Sequence, residues 1–439
     1  MLLNTMQYHW PLGSSRALLL HGSTCSIKMN RDIIYNIGSV GVIGLVGLLL
    51  NTLIPIFYSV EALGHFNFVM SLFMFFSQFT TFGLHYSTLK HTAEQHHCKT
   101  AKSLILSSSL CLCVIFVALF ILPFLFLPKV VPQIFKFEGA AFSWFLVMPA
   151  ILFFSLNKIL LSFVNGEMKM TKYAAYVSLR YSLMLCFFFV LVALKLGIKY
   201  ISLIFLISEA LLLCILLYHA HTYLSTKYIC MPWVKRHLEF SWKSFLAGAS
   251  IELNSRIDLL ILLYYQTEES VGIYSFALFF VEGTLQIIAA LRNVLNPLIT
   301  DLYYKKDVAY LKKVIRKFGM QSLFITIAVM IMCPIFMTVY INKTEAVNLS
   351  GSVIVFLYIM VGVLFSSYFL PMQFLANQTG NPTRQTRLNF LILISNIALN
   401  LICISQLGLY GAALGTSLSF FVAAFVIKLE SSNILKGIS

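Results

Sequence analysis

Apolar and polar positions alternate along this chain in blocks rather than residue by residue. Twelve blocks rich in Leu, Ile, Val and Phe fall at about 33–55, 64–87, 103–127, 140–163, 173–194, 200–219, 244–265, 271–295, 318–341, 351–375, 387–406 and 409–428. Each runs to about 20 residues, the length a helix needs to cross a hydrocarbon core, whereas a barrel strand crosses it in about 10. The connections are short, so consecutive helices become antiparallel neighbours in a bundle. The pattern predicts an all-α polytopic membrane protein with about twelve transmembrane helices.

The cations set its orientation. With the start of the first segment in the cytoplasm, 22 Lys and Arg fall on the cytoplasmic side, Lys158 and the run Lys305 to Lys317 among them. Only Lys129, Lys136, Lys195, Lys199 and Lys343 fall outside. By the positive-inside rule both termini are cytoplasmic.

The chain also repeats itself. Glu61-Ala-Leu-Gly64-His-Phe66 matches Glu269-Ser-Val-Gly272-Ile-Tyr274 at an offset of 208 residues. Asn165 and Lys172 match Asn377 and Arg384 at 212, and Leu196-Gly197-Ile198 matches Leu407-Gly408-Leu409 at 211. Near-constant offsets in the same order indicate two parallel six-helix repeats, with a substrate path expected between them. The expected organisation is a six-helix half at 29–221, a cytoplasmic linker at 222–240 and a second half at 241–439. Residues 1–28, broken by Pro11, Gly13 and Gly22, read as a non-native start or disordered extension, with Met29 as the natural start.

Composition agrees: 59% of the 439 residues are hydrophobic and 11% charged, with a mean hydropathy of +0.87. A soluble chain carries about 25% charged residues. The net charge of +15 would suit a nucleic-acid partner, but its cations punctuate apolar runs instead of clustering on a polar domain, which excludes that class. Most of the nine cysteines lie inside apolar runs and imply neither disulfides nor a metal site. His91, His96, His97 and Cys98 sit together, but their spacing matches no standard metal site. No cofactor is implied.

Six charges lie inside the predicted spans: Arg180, Glu209, Glu252, Arg256, Asp258 and Glu282. Each costs about 2.5–3.5 kcal/mol if turned to lipid, so all are expected to face the bundle interior or a wet cavity. Glu252 precedes Arg256 by four residues and is expected to face it on one helix. Arginine binds phosphate oxygens through a planar fork, which makes Arg180 and Arg256, with Asp258, candidates for substrate contact. Glu209, Asp258 and Glu282 are candidates for a coupling ion. Asn389, Asn396 and Asn400 share one face of segment 11 and suit either sugar hydroxyls or interhelical hydrogen bonds. Arg292 reads as an interface residue, with a substrate gate as the other reading.

The stretch Arg256-Ile-Asp258 through Glu269-Ser-Val-Gly272-Ile-Tyr274-Ser resembles the segment 7–8 signature of Wzx-type polysaccharide flippases, within the multidrug/oligosaccharidyl-lipid/polysaccharide (MOP) exporter superfamily. Leu375-Ala-Asn377-Gln-Thr-Gly380-Asn-Pro382, Asn396-Ile-Ala-Leu-Asn400 and Leu407-Gly-Leu-Tyr-Gly411-Ala-Ala413-Leu-Gly-Thr416 are similar to it as well. So is Asn293 to Pro297 through Asp307, before the basic run Lys312–Lys317. The resemblance covers about residues 29–430. It implies an alternating-access bundle in the bacterial inner membrane that moves an undecaprenyl-pyrophosphate-linked O-antigen or other polysaccharide repeat unit to the periplasmic leaflet by proton antiport. Expected partners are that lipid-linked oligosaccharide, the bilayer, an O-antigen polymerase and a chain-length regulator.

The nearest alternative is a multidrug or cation antiporter of the same superfamily, although segment 1 holds no acid beyond Asp32 at its mouth. A major-facilitator antiporter lacks its Gly-x-x-x-Asp-Arg-type motif between Gly83 and Lys102. A membrane polymerase or glycosyltransferase needs a sizeable outer loop, and the outer loops here are about a dozen residues or fewer. No Walker A, GxGxxG or GxSxG sequence occurs. A non-enzymatic transporter is the expected class.

Overall fold

The computed structural model describes residues 18–95, 98–125, 140–224, 226–344 and 349–436. His96, His97, Lys129, Lys136 and residues 1–17 lie outside them. Among the described residues there is no strand, and each of the twelve apolar blocks falls on a helix or a broken helix. The first half comprises α1 (Leu18–Phe57), α2 (Val60–Thr81), α3 (Leu84–Glu94), α4 (Lys99–Leu125), α5 (Ala140–Gly166), α6 (Met170–Ala193) and α7 (Leu203–Ala220). The second comprises α8 (Met231–Asn254), α9 (Ile257–Tyr265), α10 (Glu268–Tyr304), α11 (Val308–Thr344), α12 (Gly351–Ser367), α13 (Leu375–Gln378) and α14 (Pro382–Lys436). Nine of the described helices are long and apolar enough to cross a membrane, or ten counting the α12–α13 pair, which is bent by 60°.

Local chemistry explains where the helices break. Phe82 and Gly83 both take left-handed backbone, at φ 43° and 74°, and split segment 2 into α2 and α3. The missing Cβ of Gly83 leaves room for α8, whose Ser241 carbonyl would lie 2.6 Å from it. Gly408, at φ 56° and ψ −126°, separates α14 into the two arms predicted as segments 11 and 12. Segment 7 breaks at Ser255–Arg256, between α8 and α9, where Arg256 has φ −135° and ψ −8°.

Among the contacts that hold the halves together, two lie at opposite ends of the bundle. At the end away from the basic connections α2 and α10 cross almost backbone to backbone. A Cβ on Gly64 would fall 1.9 Å from the Glu268 carbonyl oxygen, and one on Gly272 2.1 Å from that of Val60. Ser59 and Thr267 cap the two helices in the same way, each accepting from a backbone N–H three residues on. Beside this crossing His65 lies 2.9 Å from Glu268 through Nδ1 and 2.8 Å from Ser143 through Nε2.

At the basic end α8 packs on the first half. Phe245 stacks on Phe82 at 4.6 Å, and buried His237 lies 2.8 Å from Ser87 Oγ and 3.1 Å from the Ile105 carbonyl. One hydrophobic core runs through the first half and into the second, while another gathers Ile288, Leu295, Leu311, Ile315 and Ile427 in the second half.

Candidate functional site

Two arginine–carboxylate pairs and one cavity hold most of the intramembrane charge. In the first half Arg180, on α6, reaches Glu209, on α7: Nε to Oε1 is 2.9 Å, and Nη2 donates to Oε2 at 3.2 Å. Asn157 donates from Nδ2 to the same carboxylate and to the Glu209 carbonyl, each at 2.8 Å. The guanidinium lies over the Phe154 ring, 4.6 Å from its centre. Three helices are thereby tied around a carboxylate whose side chain is 3% exposed.

In the second half Arg256 meets Glu282, on α10, through both arms of its fork, at 3.1 and 3.3 Å. It makes no ion pair with Glu252, because the helix that would have put the two on one face breaks at Ser255–Arg256. Glu252 instead lies within electrostatic reach of Lys158, on α5. Lys158, counted from the sequence among the cytoplasmic cations, stands eight residues before the end of α5, about 12 Å inside that helix at 1.5 Å per residue. No carboxylate among the described residues forms an ion pair with it. The charges of Arg180, Glu209, Glu252 and Arg256 all act on Tyr181, so the two halves do bring their charges to a shared region.

The cavity lies in the second half and encloses about 290 Å³ between α8, α9, α10, α14 and the α12–α13 bend. Asn254, Asp258, Glu282, Gln286, Arg292, Gln373, Asn396, Thr416 and Ser419 supply its polar lining. Asp258 accepts the Tyr274 hydroxyl at 2.6 Å and its own Leu259 N–H at 2.9 Å, and Tyr274 also lies 2.9 Å from Thr416. Asn396 donates to the carbonyl and side chain of Asn254, which fixes the end of α8.

Arg292 donates to Gln373 Oε1 at 2.5 Å and lies over Phe374, 4.7 Å from the ring centre. Among the described residues no carboxylate pairs with it, and its Nε is buried without an acceptor. An unneutralised guanidinium held in place by an amide and a ring is poised for an anion.

The sequence candidates therefore divide. Asp258, Glu282 and Asn396 line the cavity. Arg256 stands behind Glu282 as its counter-ion. Asn400 donates to Asn396 and Asn389 accepts from Gln385, so both are buried in hydrogen bonds within one helix. Arg180 and Glu209 form their own pair in the first half. Sequence reasoning assigned no site role to Gln286, Gln373 or Lys158, nor to Tyr274 and Thr416, which entered only as motif positions. Uncharged residues carry no insertion penalty large enough to signal them, and Lys158 was masked by its nearness to a predicted helix end. Among the described residues no group of three or more His, Cys, Asp or Glu is placed to hold a metal.

The fold is shared with solved transporters. An inward closed conformation of the lipid II flippase MurJ superposes with a TM-score of 0.76 at 17% identity, covering 93% of this chain and 90% of that one. An inward-facing multidrug resistance MATE family transporter of the MOP superfamily gives 0.71 at 15% identity, covering 90% and 98%. A MOP superfamily transporter from Pyrococcus furiosus gives 0.62 at 14%, covering 94% and 95%. No curated protein matches the sequence. A family model described as polysaccharide biosynthesis protein matches residues 29–303, more than half of the chain. The chain has the helical fold of the MOP superfamily transporters, and it belongs to the polysaccharide biosynthesis protein family.

Proposed function

We propose that this protein carries an undecaprenyl-pyrophosphate-linked O-antigen or related polysaccharide repeat unit from the cytoplasmic to the periplasmic leaflet of a bacterial inner membrane. The observation that carries this reading is Arg292, a cation without a carboxylate partner on the wall of an amide-rich cavity inside the membrane. A guanidinium answers a phosphate, and Asn254, Gln286, Gln373 and Asn396 offer the donors and acceptors that sugar hydroxyls require. About 290 Å³ lies near the lower end of small-molecule sites, roughly 300–1,000 Å³. Such a cavity takes the pyrophosphate or one adjoining sugar, and the remaining sugars lie in the space between the halves.

In this reading the phosphate-binding role first expected of Arg180 and Arg256 falls to Arg292 and Lys158, because both of the former are neutralised by carboxylates. Asp258 and Glu282, on the cavity wall, are the preferred carriers of a coupling proton, and Glu209 is set in a separate pair. Protonation of Glu282 would free Arg256 for the substrate, which links the two ligands through one ion pair.

The test is complementation of a deletion strain, scored by surface polysaccharide banding, with membrane levels checked by immunoblot. Arg292→Ala should abolish banding at normal protein level, and Arg292→Lys should retain part of it. Normal banding with Arg292→Ala would reject the role of this residue.

A further inference from the structure

A second feature lies on the outward face of the second half, away from the cavity. Leu323, Val361, Leu364, Phe365, Tyr368 and Phe421 line an apolar groove of about 480 Å³ between α11, α12 and the second arm of α14. Cations stand above it on two of those helices. Arg316 precedes Leu323 by seven residues and Lys312 lies one turn further, so both share the groove face of α11. Lys428 follows Phe421 by seven residues on α14. Each seven-residue step is about 10 Å along a helix, inside the roughly 15 Å depth of one hydrocarbon leaflet.

All three cations are at one end of the molecule, because their neighbours Leu311, Ile315 and Ile427 belong to a single core cluster. All three are exposed, and none forms an ion pair among the described residues. The corresponding connection in the first half differs. There Lys102 binds Glu167 at 2.9 Å and Lys90 approaches Glu94 at 3.7 Å.

We propose that this face binds an anionic phospholipid of the leaflet at the basic end, with its phosphate between Lys312, Arg316 and Lys428 and its acyl chains in the groove beside Phe365 and Phe421. Charge complementarity selects this occupant: three exposed cations stand on two of the helices that flank the slot, and apart from Tyr368 its lining is apolar, which does not suit a sugar or peptide. A zwitterionic headgroup would add its own cation to three already present. The site is separate from the cavity and does not depend on which substrate the cavity takes.

The test uses the purified full-length protein in neutral detergent, with its thermal unfolding followed as phosphatidylglycerol or phosphatidylcholine is added. Phosphatidylglycerol should raise the wild-type midpoint by about 3 °C or more, and phosphatidylcholine should not. Both the triple variant Lys312→Gln/Arg316→Gln/Lys428→Gln and the groove-filling Val361→Trp should lose the shift. A first-half control, Lys90→Gln/Lys99→Gln, should keep it. Equal shifts with the two lipids, or an undiminished shift in the triple variant, would overturn the proposal. A shift produced by a polyprenyl phosphate and not by phosphatidylglycerol would overturn it too, in favour of the substrate's own tail.

Discussion

Each half of the molecule holds one arginine–carboxylate pair within its helices, and the two differ in burial and in what surrounds them. In Arg180–Glu209 the carboxylate is 3% exposed and also accepts from Asn157, so three helices converge on it. In Arg256–Glu282 the carboxylate is 32% exposed and faces a cavity, and among the described residues no third side chain hydrogen-bonds to it. The same two residue types thus act as a fastening in one half and as part of a wall in the other. Neither pair recurs at the positions about 210 residues away in the other half, so the charges are not part of what the two halves have in common.

The strongest way to break this comparison is to remove one partner from each pair. Glu209→Ala leaves Arg180 buried without a counter-ion, which costs about 3–5 kcal/mol and should remove most folded protein from the membrane. The double variant Arg180→Ala/Glu209→Ala should recover part of that loss. Glu282→Ala should fold and yet lower export, because its guanidinium partner can be solvated from the cavity. Fluorescence-detected size-exclusion profiles of the three variants decide the matter. Comparable monodisperse yield of Glu209→Ala and Glu282→Ala would mean that the pairs do not differ.

A smaller effect tests what the halves share. Gly64→Ala and Gly272→Ala each push a methyl group into a backbone carbonyl of the opposite half, an overpacking worth about 1–3 kcal/mol. Both should loosen the outer end to similar degrees, seen as increased labelling by a membrane-impermeant thiol reagent of a cysteine placed beneath the crossing. Unchanged labelling in both would show that the crossing is not what closes that end.

The smallest effect appears only on acidification and belongs to the basic end. Burial, reinforced by the charge of His91, holds the His237 imidazole down at about 4, against a modest pull upward from the Ile105 carbonyl. A base whose folded value is depressed contributes stability that is intact above its unfolded value near 6.5 and is lost as pH falls from there toward about 4. Glu167 follows lower down. Burial alone would raise its carboxyl, but hydrogen bonds and charge from Lys102 and Lys169 outweigh it and hold the group below 4.5. Its contribution is intact above that value and is lost as pH falls through the folded one. His237→Gln should therefore flatten the stability profile between pH 6.5 and about 4 and leave the steeper acid loss in place. A variant profile that overlays the wild type would remove His237 from this account.

Much of the fold was legible because membrane insertion writes helix length directly into composition. The twelve apolar blocks and the Gly64/Gly272 repeat needed no tertiary information. The candidate site was legible only as far as insertion cost reaches. Charges buried in apolar runs stand out, which is why Asp258 and Glu282 were found. Their pairing was not readable, since the break at Ser255–Arg256 turns Arg256 away from Glu252 and toward α10. A helical wheel assumes that no break exists. Arg292 was visible, but from the sequence its depth could not be separated from its partners, and its lack of a carboxylate is what distinguishes it.

The α2–α10 crossing has one further consequence. Val60 and Glu268 occupy equivalent places in the two repeats, as do Gly64 and Gly272, so each glycine meets the carbonyl that its own counterpart's helix presents. A surface that fits its own copy in this reciprocal way is the isologous contact of a twofold dimer. In any pair of units related this way, a single glycine per unit closes both sides of the joint, so one residue type at one place in each helix suffices to set the register of the other.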